Sequence, residues 1–286
     1  MLKSSKFLKF ILAGASFATY SYLFTWQFAG MLLIMIFIHE LGHVIAMKQC
    51  GIKVKGIYLI PLLGGAAVAE GDFKTRRDES YIALMGPWFG LFVSLFFYLL
   101  YYITSNPVFA AGATWCSFMN LFNLLPVNPL DGGRVVKSLT FSAHGYVGLG
   151  FLLLSLIGMI VLIVKYHIWL FMVLLIVAVL ELSFELFVLY KKKKKAKEAI
   201  NTKHNLINAI NQLDENTLDE ETKMIVEEVK KDLDTTIAES YEKPKMSLKQ
   251  IVFYATLYLL TCFVFLELMT YTIHLPGCKE AFDVLK

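Results

Sequence analysis

The stretch IFIHELGHVIAMK, from Ile36 to Lys48, places two histidines and a glutamate inside an otherwise apolar segment. In a helix, His39 and His43 lie one turn apart on the same face. Two imidazoles in that arrangement can bind one zinc ion, with Glu40 beside them as a base for an attacking water molecule. Three fixed letters recur by chance, but ionisable side chains in a membrane-like segment indicate a functional interior site.

The composition indicates an integral membrane protein. Of 286 residues, 57% are hydrophobic and 17% are charged, whereas soluble domains carry about a quarter charged residues. Several apolar segments approach the ~20 residues that a helical membrane span needs. They cover roughly residues 8–24, 28–47, 81–103, 107–125, 146–164, 168–190 and 250–273. The first contains the diluting stretch GASFATYSY and also resembles a signal peptide; we favour a retained helix.

The basic residues predict the orientation of these spans, because cytosolic loops carry an excess of Lys and Arg. With the N-terminus inside, all 27 Lys and Arg except Lys165, Lys279 and Lys286 lie on the cytosolic side. We therefore expect a multi-pass integral membrane protein, located in the cytoplasmic (inner) membrane if the source is bacterial.

Two segments do not have the pattern of spans. Residues 51–73 hold β-branched residues around Pro61 and a Gly-Gly pair, which predicts a β-hairpin. Residues 191–247 begin with KKKKKAKE and carry Glu–Lys pairs at helical spacing, which predicts a charged, helical cytosolic segment through which a regulator could act. The lysine run fits topology and contact with the lipid bilayer rather than nucleic acid, since no basic nucleic-acid-binding fold accompanies it.

The expected fold class is an all-α polytopic membrane protein. It has about seven transmembrane helices, a small membrane-associated β-hairpin and a helical cytosolic segment. The predicted units are an N-terminal span over residues 1–26, a membrane core with the histidine motif over 27–142, two accessory spans over 143–190, the charged segment over 191–247, and a last span with a short outer tail over 248–286.

A catalytic zinc needs a third protein ligand and an open position. Asp131 lies in NLFNLLPVNPLDGGRV, Asn120 to Val135, just past the end of the fourth apolar segment. His43 lies about four residues, or ~6 Å along a helix, from the same membrane face. An Asp-Gly-Gly turn alone is ordinary loop chemistry, but beside the histidine pair it predicts a site for one zinc ion held by His39, His43 and Asp131.

These motifs resemble those of the site-2 proteases, which are intramembrane zinc metalloproteases. That family has H-E-x-x-H in one span and N-x-x-P-x-x-P-L-D-G at the end of a later one. This chain has HELGH at 39–43 and NLLPVNPLDG at 123–132. MGPWFG, Met85 to Gly90, is similar to the family's Gly-Pro motif, although Gly90 stands where many members have Asn. The resemblance covers about residues 28–142.

The resemblance implies an endopeptidase that hydrolyses peptide bonds within or near the transmembrane segments of a membrane-protein substrate, as in regulated intramembrane proteolysis or the clearance of signal or remnant peptides. Its active site would lie near the cytosolic face. Glu40 would transfer a proton from water to the leaving amine. Asn123 would hydrogen-bond the oxyanion or the substrate backbone, with a helix–helix hydrogen bond as the alternative.

The hairpin is expected to hold the substrate as an added β-strand, because an unwound backbone in hydrocarbon needs hydrogen-bond partners. A flexible loop is the alternative interpretation. The residues predicted to contact the substrate are Gly64, Gly65, Ala66, Ala67 and Val68.

Other polar residues in the apolar segments are less informative. Glu181, Glu185 and Glu267 fit interfacial or packing positions, or a water path. The remaining histidines and the four scattered cysteines indicate no further metal site.

Two other functions stay open. One is a non-catalytic escort protein that binds membrane helices, against which the intact Glu40 argues. The other is an integral-membrane zincin of another type, such as a prenyl-protein protease with a glutamate ligand, against which the NPLDG match argues.

Overall fold

A computed structural model describes residues 2–62, 64–71, 73–166, 170–211, 220–240 and 245–285. These residues form helices and one two-stranded sheet. In chain order the elements are α1 (Leu2–Leu23), α2 (Trp26–Gln49), β1 (Lys53–Ile60), β2 (Gly64–Glu70), α3 (Arg76–Thr104), α4 (Pro107–Asn123), α5 (Asp131–Ala143), α6 (Gly145–Tyr166), α7 (Leu170–Asn211), α8 (Glu220–Ser240), α9 (Leu248–Ile273) and α10 (Cys278–Leu285).

Four described helices are long and apolar enough to cross a membrane. They are Trp26–Gln49, Arg76–Thr104, Gly145–Lys165 and Leu248–Ile273. The apolar part of α1, Phe7–Leu23, is shorter, and α4 has 17 residues. The expected class of helical membrane protein is therefore confirmed, whereas the count of seven spans stays a prediction.

Helix α7 extends through the expected boundary between the sixth span and the charged segment at residues 190 and 191. It runs for 42 residues without interruption. Its far end packs on α8, where the Lys203 ammonium pairs with the Asp234 carboxylate at 2.5 Å. The apolar and charged parts of this region therefore lie on one continuous helix as far as Asn211.

Helices α2, α3 and α4 form the packed centre of the molecule. Gly42 of α2 lies against the backbone of α3, since a β carbon added there would come within 2.3 Å of the Met85 carbonyl oxygen. Helix α4 presents a run of small buried residues, Ala110 to Ala113. Small residues let membrane helices approach closely, so the motif helix α2 is held tightly against its neighbours.

The predicted β-hairpin is confirmed. Strands β1 and β2 pair antiparallel from Lys53 opposite Glu70 to Ile60 opposite Gly64, with an irregularity between Val54 and Gly56. Helix α1 packs on β1, where the Lys9 ammonium donates a hydrogen bond to the carbonyl of Lys55 at 2.9 Å. Both strands also contact α2, and Gly65 of β2 lies against Glu40 of that helix.

Buried charges join α5 to α3. Glu79 of α3 accepts from Arg76 at 3.1 Å and pairs with Lys137 of α5 at 3.3 Å. All three residues are less than 5% exposed. Removing one member of such a buried group leaves an uncompensated charge, which costs several kcal/mol. The cluster therefore holds the helix that begins with Asp131 in a set position.

Candidate metal centre

Three side chains converge between α2 and α5. His39 Nε2 lies 3.0 Å from Asp131 Oδ2, His43 Nε2 lies 3.2 Å from the same oxygen, and the two Nε2 atoms are 3.2 Å apart. Ligand atoms bound at about 2.0–2.1 Å around a tetrahedral zinc lie about 3.3 Å from one another. The structure thus brings together the three predicted ligands in a triangle of the size that zinc requires.

The opposite ring nitrogens show which atoms carry protons. His39 Nδ1 lies 2.9 Å from Asn120 Oδ1. The Asn120 amide is oriented by donating from Nδ2 to the Cys116 carbonyl at 2.7 Å, so its oxygen must face the histidine. His43 Nδ1 lies 2.7 Å from the Ile82 carbonyl oxygen. Both Nδ1–H groups therefore donate, which leaves the lone pairs of both Nε2 atoms directed at the triangle.

The third member of the triangle is an anion. Burial works against the ionised form of Asp131, yet the two imidazoles beside it hold the pKa of its carboxyl below its usual range. A cation at this point would replace the protons shared between the rings and the carboxylate, so that two imidazole nitrogens and one carboxylate oxygen, all buried, would present lone pairs to it. Such a set is stabilised by a cation, and its composition fits zinc.

Helix α5 begins at Asp131, so this residue lies in the first turn of a helix rather than in the expected glycine-rich turn. The two following glycines allow that helix to pack on the preceding loop. A β carbon at Gly132 would come within 2.1 Å of the Leu124 carbonyl oxygen, and one at Gly133 within 2.4 Å of the Val127 backbone. The glycines of the motif therefore bring the carboxylate back to α2.

Glycines of α3 make room for the histidines. A β carbon at Gly86 would lie 2.2 Å from His43 Nε2, and one at Gly90 would lie 2.0 Å from Asn120 Oδ1. The space beside Gly90, where many site-2 proteases have an asparagine on this helix, is filled here by Asn120 from α4. Asn120 was not predicted as a site residue, although a polar side chain one turn before Asn123 in an apolar segment was a usable signal.

Glu40 lies under the hairpin. Its side chain is 7% exposed, and a β carbon at Gly65 of β2 would come within 2.5 Å of Glu40 Cγ. The small residue at this position therefore makes room for Glu40 itself, rather than only for a substrate as expected. Gly64 has open space around it and a φ of +92°, which suits the turn residue of the hairpin.

A cavity of about 380 Å³ contains the ligands, Glu40 and the hairpin. Of the expected substrate-contacting residues, Asn123 and the four small residues of β2 line it, whereas Val68 is not among its lining residues. Arg134, also not predicted, lines it as well. The Arg134 guanidinium lies 3.8 Å from Asp131 Oδ1 and 5.0 Å above the Phe73 ring, so it faces the carboxylate oxygen that points away from the histidines.

Of the three other acidic residues considered from the sequence, the structure describes the side chain of one. Glu267 is exposed on α9. The side chains of Glu181 and Glu185 fall outside the described ones. Within the described residues, the one group of three metal-ligating side chains is the triangle at the motif helix.

Comparison with known proteins agrees with this geometry. The profile of Peptidase family M50 matches residues 27–114. Rip3 of Mycobacterium tuberculosis is 34% identical over 125 residues, which are 41% of this chain and 32% of Rip3. Zinc metalloprotease MJ0392 of Methanocaldococcus jannaschii is 31% identical over 124 residues, 41% of this chain and 35% of that protein. Stage IV sporulation protein FB of Bacillus subtilis is 28% identical over 109 residues, 37% of each chain.

The chain matches about a third of the length of these relatives. The matched region includes the histidine pair, Glu40, the hairpin and the helix that carries Gly86 and Gly90. Residues 27–114 of this chain are therefore similar to Peptidase family M50, the site-2 protease family.

Proposed function

We propose that this protein is an intramembrane zinc endopeptidase that cleaves transmembrane segments of membrane proteins. The observation that carries the proposal is the convergence of two histidine lone pairs and a carboxylate in one cavity with Glu40. One wall of that cavity is α2, a helix long and apolar enough to span a membrane.

The residues of the site have complementary chemical roles. Zinc held by His39, His43 and Asp131 would polarise the scissile carbonyl and lower the pKa of a water molecule. Glu40, next to His39 on α2, takes the proton from the attacking water and delivers it to the leaving amine. Asn123 lines the same cavity and donates a hydrogen bond to the carbonyl oxygen as negative charge develops on it.

The hairpin supplies a place for an unwound substrate. A peptide bond inside a helix has its carbonyl bonded to an amide four residues on, so cleavage requires local unwinding. Among the described residues, β2 pairs only with β1, and the backbone of Gly64 to Ala67 borders the cavity. A substrate strand added to β2 would satisfy its exposed backbone groups and lie between the hairpin and Asn123 of α4.

The charged segment offers a route for regulation. Leu174 of α7 lines the cavity, and the same helix continues to Asn211 where it packs on α8. A partner that binds residues 191–247 would therefore act on a helix that forms part of the cavity wall. The concentration of Lys and Arg on that side of the spans supports a cytosolic location for this segment and for the active site.

The test is a pair of substitutions read out by zinc content and by cleavage. Purified wild-type protein should hold about one zinc per chain, and Glu40→Gln should keep the metal while losing activity, because a base is removed and the ligands remain. Asp131→Ala should lose the metal as well. Membrane proteomics of cells with wild type or Glu40→Gln then identifies helices that stay uncut. A Glu40→Gln protein that cleaves at the wild-type rate would contradict the mechanism, and one that fully replaces wild type in cells would favour an escort function.

A further inference from the structure

A second cavity lies between α3 and α9, next to the end of α2. It encloses about 600 Å³, which is within the range of about 300–1,000 Å³ typical of small-molecule sites. No residue that lines it also lines the cavity of the metal centre. Any ligand of this second cavity would therefore be distinct from the substrate of the metal centre.

The lining of the second cavity changes from polar to apolar with depth along α3. Arg77, Asp78 and Tyr81 lie at one end, and Leu84, Met85 and Trp88 follow. From Arg77 to Trp88 the helix rises about 16 Å. On the facing helix α9, the lining residues Phe253, Tyr254 and Leu257 are aromatic and aliphatic. The cavity thus has a charged mouth and an apolar interior.

At the apolar end a hydrogen bond joins the two helices. Trp88 Nε1 donates to Thr261 Oγ1 at 3.2 Å, one turn beyond Leu257 on α9. At the opposite end α2 finishes at Gln49, whereas α3 and α9 begin at Arg76 and Leu248. The charged mouth therefore lies where three helices meet one surface of the membrane, and the cavity runs from that surface towards the hydrocarbon.

We propose that this cavity binds one zwitterionic phospholipid of the phosphatidylethanolamine type. The phosphate would pair with the Arg77 guanidinium, the ammonium with the Asp78 carboxylate, and one acyl chain would lie along Leu84, Trp88 and Leu257. The adjacent cation and anion match the two charges of such a headgroup. The apolar depth matches an acyl chain.

Other occupants fit these features less well. A transmembrane helix has a diameter of about 10–12 Å and would not fit between α3 and α9, which the Trp88–Thr261 hydrogen bond joins. A soluble anion would pair with Arg77 but would be repelled by Asp78, and it would leave the apolar interior unfilled. An anionic lipid would supply no cation to pair with Asp78, whereas the ammonium of the zwitterionic headgroup would.

Cys50 provides a probe of the charged mouth, because it lines the cavity and is partly buried. Burial raises the pKa of its thiol, and the nearby Asp78 carboxylate raises it further, so alkylation is measured at alkaline pH. Full-length protein is delipidated in detergent and mixed with dioleoyl phosphatidylethanolamine, dioleoyl phosphatidylglycerol or no lipid. Site-resolved mass spectrometry then measures the alkylation rates of Cys50 and, as an internal control outside the cavity, Cys262.

Phosphatidylethanolamine should slow the alkylation of Cys50 without slowing that of Cys262, and phosphatidylglycerol should protect Cys50 much less. Arg77→Gln and Asp78→Asn should each raise the lipid concentration for half-protection by about tenfold, as expected for the loss of a charged hydrogen bond. Lys249→Gln is the matched control, since it removes an exposed cation near the start of α9 that does not line the cavity.

Three results would overturn the proposal: no protection of Cys50, equal protection by phosphatidylglycerol, or equal behaviour of Arg77→Gln and Lys249→Gln. Equal protection by glycerophosphoethanolamine, which has the headgroup without acyl chains, would contradict the role of the apolar interior. The measurement needs neither zinc nor protease activity, so it is independent of the proposed function.

Discussion

Asn120 is predicted to hold His39 in position for zinc, and Asn120→Ala tests this. The substitution removes the oxygen that lies 2.9 Å from His39 Nδ1, and Asn120 is fully buried. The Nδ1–H donor would be left without a partner, at a cost of about 1–3 kcal/mol. Loss of such a partner of a metal-bound histidine typically lowers metal affinity by about 10- to 100-fold, which corresponds to about 1.4–2.7 kcal/mol.

The assay is a competition for zinc between the purified protein and a chromophoric chelator. Ser117→Ala is the matched control, because Ser117 is buried on the same helix, one turn before Asn120, and its hydroxyl has no hydrogen-bond partner among the described residues. Asn120→Asp should bind zinc more tightly than Asn120→Ala, since a carboxylate can still accept from His39. If Asn120→Ala binds zinc as tightly as Ser117→Ala, the assigned role of Asn120 is wrong.

Further predictions concern the glycines and the hairpin. Gly90→Ala should lower zinc affinity by about 10-fold in the wild type, because the added carbon displaces Asn120. In the Asn120→Ala background it should have little effect. Equal effects in both backgrounds, measured by the same chelator competition, would argue against this contact. The Gly65→Ala protein should still bind zinc, and its kcat should fall by about 10- to 100-fold because the added carbon displaces Glu40. If elemental analysis shows that zinc is lost instead, the substitution has disturbed the metal ligands. Ala66→Pro removes a backbone donor from β2, so cleavage of a helical substrate should fall more than cleavage of a substrate already unwound by helix-breaking residues. Equal losses on both substrates in a peptide-cleavage assay would remove the strand-addition step.

Features that depend on local periodicity were predictable from the sequence. The spacing of His39 and His43 puts both rings on one face of a helix in any fold that keeps the helix intact. The hairpin followed from β-branched residues around Pro61 and glycines, and its strands lie within the predicted range. Asp131 was predicted as a ligand because membrane depth restricts which segments can meet, and the structure brings it to the two histidines. The histidine and aspartate inferences need the positions of the apolar segments and the rise per residue, and the hairpin inference needs only local residue types.

Features that depend on which helix faces meet were decided by the tertiary structure. No local pattern indicates that Gly90 leaves space for Asn120, or that Gly65 lies on Glu40, because each contact joins residues separated by 25 or more positions in the sequence. Hydropathy could not determine the number of spans either. Helix α4 has 17 residues and a largely buried face, and such a helix is apolar whether it faces lipid or other helices. Hydrophobic periodicity indicates which residues are buried away from water. Which residues they contact is determined by the packing of the whole helix bundle.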